Sequence, residues 1–336
     1  MKLINQSAQY LPQQAGIDGI YKQIELAGRT SYLSWDKMTD DSAKKFVDML
    51  IKSKHTSVLE HGTVYLKLPI VAKDKSIPTV KEWWPIVHSP YSKSNDVSLS
   101  NDPNDLGNID KMFLAITTNL RVLLENNMPI EHISKYLCEP TEFHEKRLSV
   151  KVVTSRSISH ELVRHRSMSF IQESQRYVGY DNRFGEITYI KPSWLWHNIP
   201  CGTVYYHDGI NYRIMPDENE PEDFISVRPG NDFTEEEAVR LTNFFRVLDN
   251  AEYYYKKLKK DGLKSQEARE VLPNATKTTL VITAFESDWR EWFAQRLFGK
   301  TGEPHPDMLV LANLIKEEFE KAGVWEEIMK YPSKYD

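Results

Sequence analysis

Between Arg164 and Tyr177 the chain sets Arg164, His165, Arg166 and Arg176 among Ser167, Ser169 and Ser174, a density of cations and hydroxyls that asks for an anion. Guanidinium groups bind phosphate or carboxylate bidentately, and a serine hydroxyl can donate to the same oxygens. A solvated basic turn would also read this way. The apolar Met168, Phe170 and Ile171 inside the run point instead to a packed site in which charge must be matched. A second cation stands on an apolar stripe: Arg296 follows Trp292 and Phe293 at helical spacing, so either a carboxylate or an anionic ligand should meet it. Arg269, just ahead of Leu272 and Pro273, reads as a weaker instance of the same kind.

Other patterns resemble chemistry less well. Ala294 through Thr301 matches a relaxed phosphate loop, but an aromatic helix precedes it where a strand is required, and Pro304 and Pro306 follow. His160 and His165 are five residues apart, one too many for both to face one zinc ion on a helix. His55 and His61 lack a third ligand at a convincing spacing, so no metal is expected. No G-x-G-x-x-G run occurs, so a dinucleotide fold of that type has no support.

The whole chain bounds these readings. Its 336 residues are 40% hydrophobic and 27% charged, the composition of an ordinary folded protein. Forty-three Lys and Arg against 48 Asp and Glu leave a formal charge of -5, so no general field gathers nucleic acid polymer and phosphate binding must be local. The two cysteines, Cys138 and Cys201, form neither a disulfide framework nor a zinc motif, which suits a reducing compartment. The first residues lack an apolar signal core and no run is long enough for a membrane helix, so a cytoplasmic protein with no membrane partner is expected.

The elements that must position these groups follow from periodicity. Ala43, Phe46, Val47, Leu50 and Ile51 share one stripe, which predicts a helix over 40–53, and the alternation of Val64, Leu66 and Leu68 predicts a strand ending at Pro69. Residues 88–108, rich in Ser, Asn, Asp and Pro, read as a long loop. Helices are expected at 110–126 and 130–138, an extended β-branched stretch at 148–155, and a short helix over 158–166. Residues 197–232 read as a second irregular excursion, a surface flap. Thr234 and Glu237 form a capping box that opens a long helix ended by Gly262. A helical turn stopped by Pro273, a helix over 277–297 with Phe285, Trp289, Trp292 and Phe293 on one face, and a helix after His305 complete the chain.

Arg164-His165-Arg166, seven residues and then Ser174 resemble the signature of the flavin-dependent thymidylate synthases, the ThyX family. His55-Thr56-Ser57 with Glu60-His61 is similar to that family's upstream segment. Arg29 with Ser31 is similar to its early R-x-S, Arg269 with Leu272-Pro273 to its R-x-x-L-P, and Arg296 with Pro304 to Asp307 to its closing segment, all in the family's order. The likeness spans residues 29–307.

The resemblance implies an α+β fold, a mixed sheet flanked by helices, in one catalytic domain over 1–336 with extra length near 70–108 and 197–232. It implies reductive methylation of dUMP to dTMP, with 5,10-methylenetetrahydrofolate as carbon donor and NADPH as hydride source through FAD, in a homotetramer whose subunits share sites. Arg296 would stabilise the ionised N3 of the uracil. Glu161, Arg164, Gln172, Ser174, Gln175, Arg176 and Arg269 would hold dUMP. Ser31, His55, Ser57, Glu60, Arg164, His165, Arg166, Gln172, Ser287 and Glu291 would hold FAD. The chain departs from the family at Ile171-Gln172, where Asn-Glu is usual, at Glu161, where Gln is common, and at Phe285, Ser287 and Glu291, where Asn, Arg and Asn are frequent. A related pyrimidine-modifying flavoenzyme and a catalytically silent nucleotide-binding protein stay open as alternatives.

Overall fold

A computed structural model describes residues 1–69, 80–97, 113–180, 185–195, 199–207, 211–217, 224–230 and 232–336. Two short strands, β1 (Lys2–Ile4) and β2 (Ser7–Tyr10), lead into helices α1 (Gly16–Thr30) and α2 (Ser42–Lys52) and strand β3 (Thr63–Pro69). Helix α3 (Val80–Val87), strands β4 (Lys93–Val97) and β5 (Phe113–Asn119), and helices α4 (Leu120–Glu125) and α5 (Ile130–Ile133) follow. The chain then forms β6 (Arg147–Ser155), α6 (Arg156–Leu162), β7 (Ser169–Gln172), β8 (Thr188–Ile190), β9 (Gly202–His207), β10 (Asn211–Pro216) and β11 (Ile225–Val227). It closes with α7 (Glu235–Lys260), α8 (Ser265–Ala268), β12 (Lys277–Phe285), α9 (Glu286–Arg296), α10 (Pro306–Lys321) and α11 (Trp325–Met329).

The fold is α+β, with sheets in the orders β2-β6-β12-β7, β3-β5-β4 and β11-β10-β9-β1-β8. The first sheet is antiparallel throughout, and its two central strands run in register from Lys277 opposite Ser155 to Phe285 opposite Arg147. Because side chains alternate along a strand, these strands present two different surfaces. Leu148, Val150, Val152, Leu280, Ile282 and Ala284 join a core with residues of α6, α9 and α10. Ser149, Val281 and Thr283 face the other way, where Val281 meets Ala27 of α1 and Thr283 bonds His61. The functional geometry depends on this two-sidedness.

Helix α2, strand β3, the Thr234–Glu237 capping box on α7, the stop at Gly262, the turn before Pro273 and the helix capped by the His305 side chain all form as the sequence predicts. Several expectations are corrected. The helix expected over 110–126 is strand β5 followed by the short α4. The β-branched run Ile116-Thr117-Thr118 suits a strand that has β3 on one side and β4 on the other, and the Asn119 side chain caps the helix behind it. The helix expected over 277–297 is β12 and then α9, so Phe285 ends a strand instead of sharing the stripe of Trp289, Trp292 and Phe293. Five β-branched residues from Thr278 to Thr283 outweigh the helical spacing once β6 and β7 flank them. The flap at 197–232 contains strands β9, β10 and β11, which extend the sheet built on β1. Within the loop expected over 88–108, Lys93–Val97 pairs with β5, while residues 98–108 lie outside the described residues. The helix expected over 130–138 is α5 and one 3-10 turn, and that over 158–166 stops at Leu162. Among the described residues, no helix is long and apolar enough to cross a membrane.

Candidate functional site

A cleft of about 1030 Å³ opens between α1, α2, the 3-10 segment Thr56–His61 and the loop after β7. Ser31, His55, Ser57 and Ser174 line it, bringing three separated sequence motifs to one place, with Tyr32 and Tyr177 as aromatic walls. The two rings lie 5.1 Å apart. The Ser174 amide donates to the Ser31 carbonyl at 3.0 Å, which ties the loop after β7 to the end of α1. Gly28 lets the two helices close up, since a Cβ there would come within 2.6 Å of the Phe46 ring. Next to it, Arg29 is held by the buried Glu25, one turn back, at 2.7 Å, and Glu25 also accepts from Ser42 at the start of α2. Arg29, Lys37, Lys54 and Arg121 add positive charge to the lining, against Asp36.

The segment that carries His55 and Ser57 is anchored from below. Arg147, buried at the start of β6, donates to the Glu60 carbonyl at 2.8 Å and to Ser169 Oγ at 3.2 Å, with its guanidinium 5.4 Å from the centre of the Phe285 ring. No carboxylate lies within ion-pair distance of it among the described residues, and burial pulls its pKa down to about 10. His61 is fully buried, its Nδ1 hydrogen-bonded to Thr283 Oγ1 at 2.8 Å. Burial, reinforced by the Arg147 charge, lowers its pKa to about 3, so it is neutral. The Glu60 carboxylate pairs with Arg121, which itself lines the cleft.

The Arg296 cluster sits with the helices on the opposite face of the sheet. Arg296 Nη1 donates to Glu161 Oε2 at 3.1 Å and Nε to His165 Nε2 at 3.1 Å. Glu161 is therefore the carboxylate that the lone cation on the aromatic face required. His165 accepts at Nε2, so it is neutral there, and burial together with the charges of Arg296, Lys334 and Arg164 lowers its pKa to about 4. Its ring lies edge-on to Trp292, 6.5 Å between centres.

The remaining candidates are spread more widely. Arg164 and Arg166 are exposed on the turn between α6 and β7, and Arg176 lies over the Tyr177 ring at 5.3 Å. Gln175 is buried. Gln172 points to the α6 side, donating to Ser159 and Thr278, away from the cleft. Ser287 bonds the Lys93 amine and its amide donates to Glu145, while Glu291 accepts from the Lys334 amide at 2.7 Å. Neither lines the cleft. Arg269 is one-third exposed, and among the described residues its ion pair is with its neighbour Glu270 at 3.8 Å.

The sequence reading passed over Arg147, Arg121 and Arg156. Arg156 is half-buried beside Arg269, which helps lower its pKa after burial itself, and it has no ion pair among the described residues. The signal for Arg147 was a cation placed at the head of a β-branched run, on the same side as Ser149. Cys138 lies 3.8 Å from His144, yet His144 Nδ1 accepts from the Thr141 amide, so its Nε2 carries the proton and donates to the Leu66 carbonyl at 3.0 Å. That imidazole cannot take the thiol proton, and burial raises the Cys138 pKa, so the pair is no nucleophile.

The family model described as thymidylate synthase complementing protein matches residues 116–322. The flavin-dependent thymidylate synthase of Mycobacteroides abscessus is 31% identical over 148 residues, which is 42% of this chain and 46% of that protein. The enzyme of the same name from Corynebacterium efficiens is 27% identical over 157 residues, with the same shares. The chain thus spans about half the length of the curated relatives it matches. Among solved structures, a UMP/dUMP methylase, PolB from Streptomyces cacaoi bound with 5-Br UMP, aligns over 98% of this chain and 95% of its own at 15% identity, with a TM-score of 0.42.

Proposed function

The chain belongs to the thymidylate synthase complementing protein family, and on that premise we propose that it is a flavin-dependent thymidylate synthase. It converts dUMP to dTMP, with 5,10-methylenetetrahydrofolate as carbon donor and NADPH as hydride source through FAD. The names of its curated relatives support the same activity. We read residues 1–336 as one ThyX-like domain in which the stretches near 70–108 and 197–232 are additions.

The observation that carries this reading is the cleft. Small-molecule pockets run from about 300 to 1000 Å³, so a volume of about 1030 Å³ suits a dinucleotide better than a mononucleotide. Its donor set fits too: Ser31, Ser57 and Ser174 offer hydroxyls, Arg29, Lys37, Lys54 and Arg121 offer charge for a pyrophosphate, and Tyr32 and Tyr177 offer flat surfaces for a ring. FAD, when bound, supplies the hydride that completes the methyl group. Ser31, His55 and Ser57 hold the cofactor, and Ser174, fastened to Ser31, joins the cofactor side to the nucleotide side. Arg296 directs N–H donors at the pyrimidine in a partly dry setting, where they stabilise developing negative charge more strongly than water does. Arg269, Arg176 and Arg164 take the phosphate.

The central sheet stands between the cleft and Arg296. One chain therefore offers the cofactor cleft on one face and the arginine on the other, which supports sites completed between copies in a homo-oligomer, a tetramer as in the family. The protein works on small molecules in the cytoplasm. The test is an absorption spectrum of the protein with FAD, followed by a dUMP titration. Flavin bands that shift with dUMP place both ligands in one site, whereas no flavin binding at any concentration overturns the reading in favour of a nucleotide-binding protein.

A further inference from the structure

Arg296 is already partnered by the chain itself. Glu161 Oε2 accepts from Nη1 and His165 Nε2 accepts from Nε, each at 3.1 Å, while Nη2 makes no hydrogen bond among the described residues. The ion pair is not sealed: the two side chains are 22% and 31% exposed, so a ligand in solution can reach it. Glu161 reaches Arg296 from α6, 135 residues earlier in the chain, and its other oxygen, Oε1, has no hydrogen-bond partner among the described residues.

We propose that Glu161 is a resident counter-ion that occupies Arg296 until an anionic ring edge displaces it, so that Glu161 sets how strongly Arg296 selects ligands carrying such an edge. A carboxylate is planar and offers two acceptor oxygens. The deprotonated edge of a cyclic imide offers a carbonyl oxygen and an anionic nitrogen in a similar plane, so both seek the same guanidinium donors. His165 is no rival for that place. It is neutral, accepts through one lone pair at Nε, and keeps the guanidinium oriented when Glu161 leaves. Arg164 and Lys334, close enough for their charges to be felt at His165, favour the incoming anion. Lys334 is itself answered by Glu291 at 3.7 Å, so Arg164 is the freer of the two. That the incoming edge belongs to uracil rests on the function proposed above, whereas the competition for Arg296 does not.

Two measurements on the full chain separate these points. Phenylglyoxal adducts at Arg296, followed by peptide mass mapping without any nucleotide, are expected to form about fivefold faster in E161Q than in the wild type, a partly exposed ion pair having an effect of that order. E161D, which retains the charge, should stay near the wild-type rate. Equal rates in E161Q and wild type overturn the proposal. Equilibrium dialysis with dUMP should show E161Q binding about fivefold tighter than wild type, with R296A as the non-binding control. A glutamate that merely ties α6 to α9 would leave E161Q binding unchanged or weaker, and that outcome also overturns the proposal. If wild type fails to bind dUMP while the adduct rates differ, the counter-ion stands and the proposed substrate falls.

Discussion

The guanidinium of Arg147 holds the main-chain carbonyl of Glu60 at 2.8 Å, across 87 residues of chain. The head of the central strand β6 thereby fixes the height of the 3-10 segment whose Ser57, with His55 just ahead of it, lines the cleft. The bond is made by a buried cation that has no ion pair among the described residues, and hydrogen bonds and the Phe285 ring hold it.

Arg147→Ala should lower unfolding free energy by about 2–4 kcal/mol, because it leaves the Glu60 carbonyl without its donor and opens a cavity where a buried side chain stood. Arg147→Lys should recover only part of this, since one ammonium cannot reproduce the fork to Glu60 and Ser169. Urea unfolding measures both. An Arg147→Ala protein as stable as wild type would show that the anchor is dispensable.

The buried His61 makes stability pH-dependent. Its folded pKa of about 3 lies below the ordinary value of 6.5, so between these limits the unfolded chain binds more protons than the folded one. The contribution is complete above pH 6.5 and is lost as pH falls towards 3, with a slope of up to about 1.4 kcal/mol per pH unit. His165, at about 4, adds in the same direction. Urea midpoints taken from neutral pH downward should fall more gently in His61→Asn than in wild type, and identical slopes would contradict a neutral buried imidazole.

Arg296→Ala should keep flavin bound while losing dTMP formation by orders of magnitude, because Arg296 lies across the sheet from the cleft. Arg121→Ala, which removes a guanidinium from the cleft lining, should by contrast weaken flavin retention. Ultrafiltration with absorbance of the retained flavin reads this directly. Equal flavin loss in both variants would contradict the division of labour.

Mixing inactive Arg296→Ala chains with inactive His55→Ala chains should restore part of the activity if one copy supplies the cleft and another the arginine. Failure of mixed, co-refolded oligomers to recover any turnover would mean that each chain builds its own site.

Arg176→Ala and Arg269→Ala should raise the dUMP concentration needed for half-maximal rate with smaller effects on the maximal rate, the pattern of lost ground-state binding. Arg156→Ala should behave like Arg269→Ala if the two neighbouring cations meet one anion. Unchanged dUMP dependence in all three would remove phosphate from this side of α6.

Local order determined much of what could be read from residues alone. The stripe of α2, the alternation of β3, the Thr234–Glu237 box and the stops at Gly262 and Pro273 depend on neighbours a few residues away, so spacing suffices for them. The ordered motifs were legible for the same reason, and they supplied Ser31, His55, Ser57, Ser174 and Arg296. Tertiary structure decided the rest. Residues 277–285 carry apolar spacing compatible with a helix, and only the presence of β6 and β7 on either side makes them a strand. The flap at 197–232 became strands because β1, two hundred residues earlier, offered an edge to β9. Glu161 could not be recognised as the partner of Arg296, nor Arg147 as the support of Glu60, because an ion pair or a side-chain-to-carbonyl bond over such separations exists only after the sheet has brought its strands and helices together. The same holds for the placement of the cleft and Arg296 on opposite faces, which follows from strand register, a long-range quantity that a one-residue slip would invert.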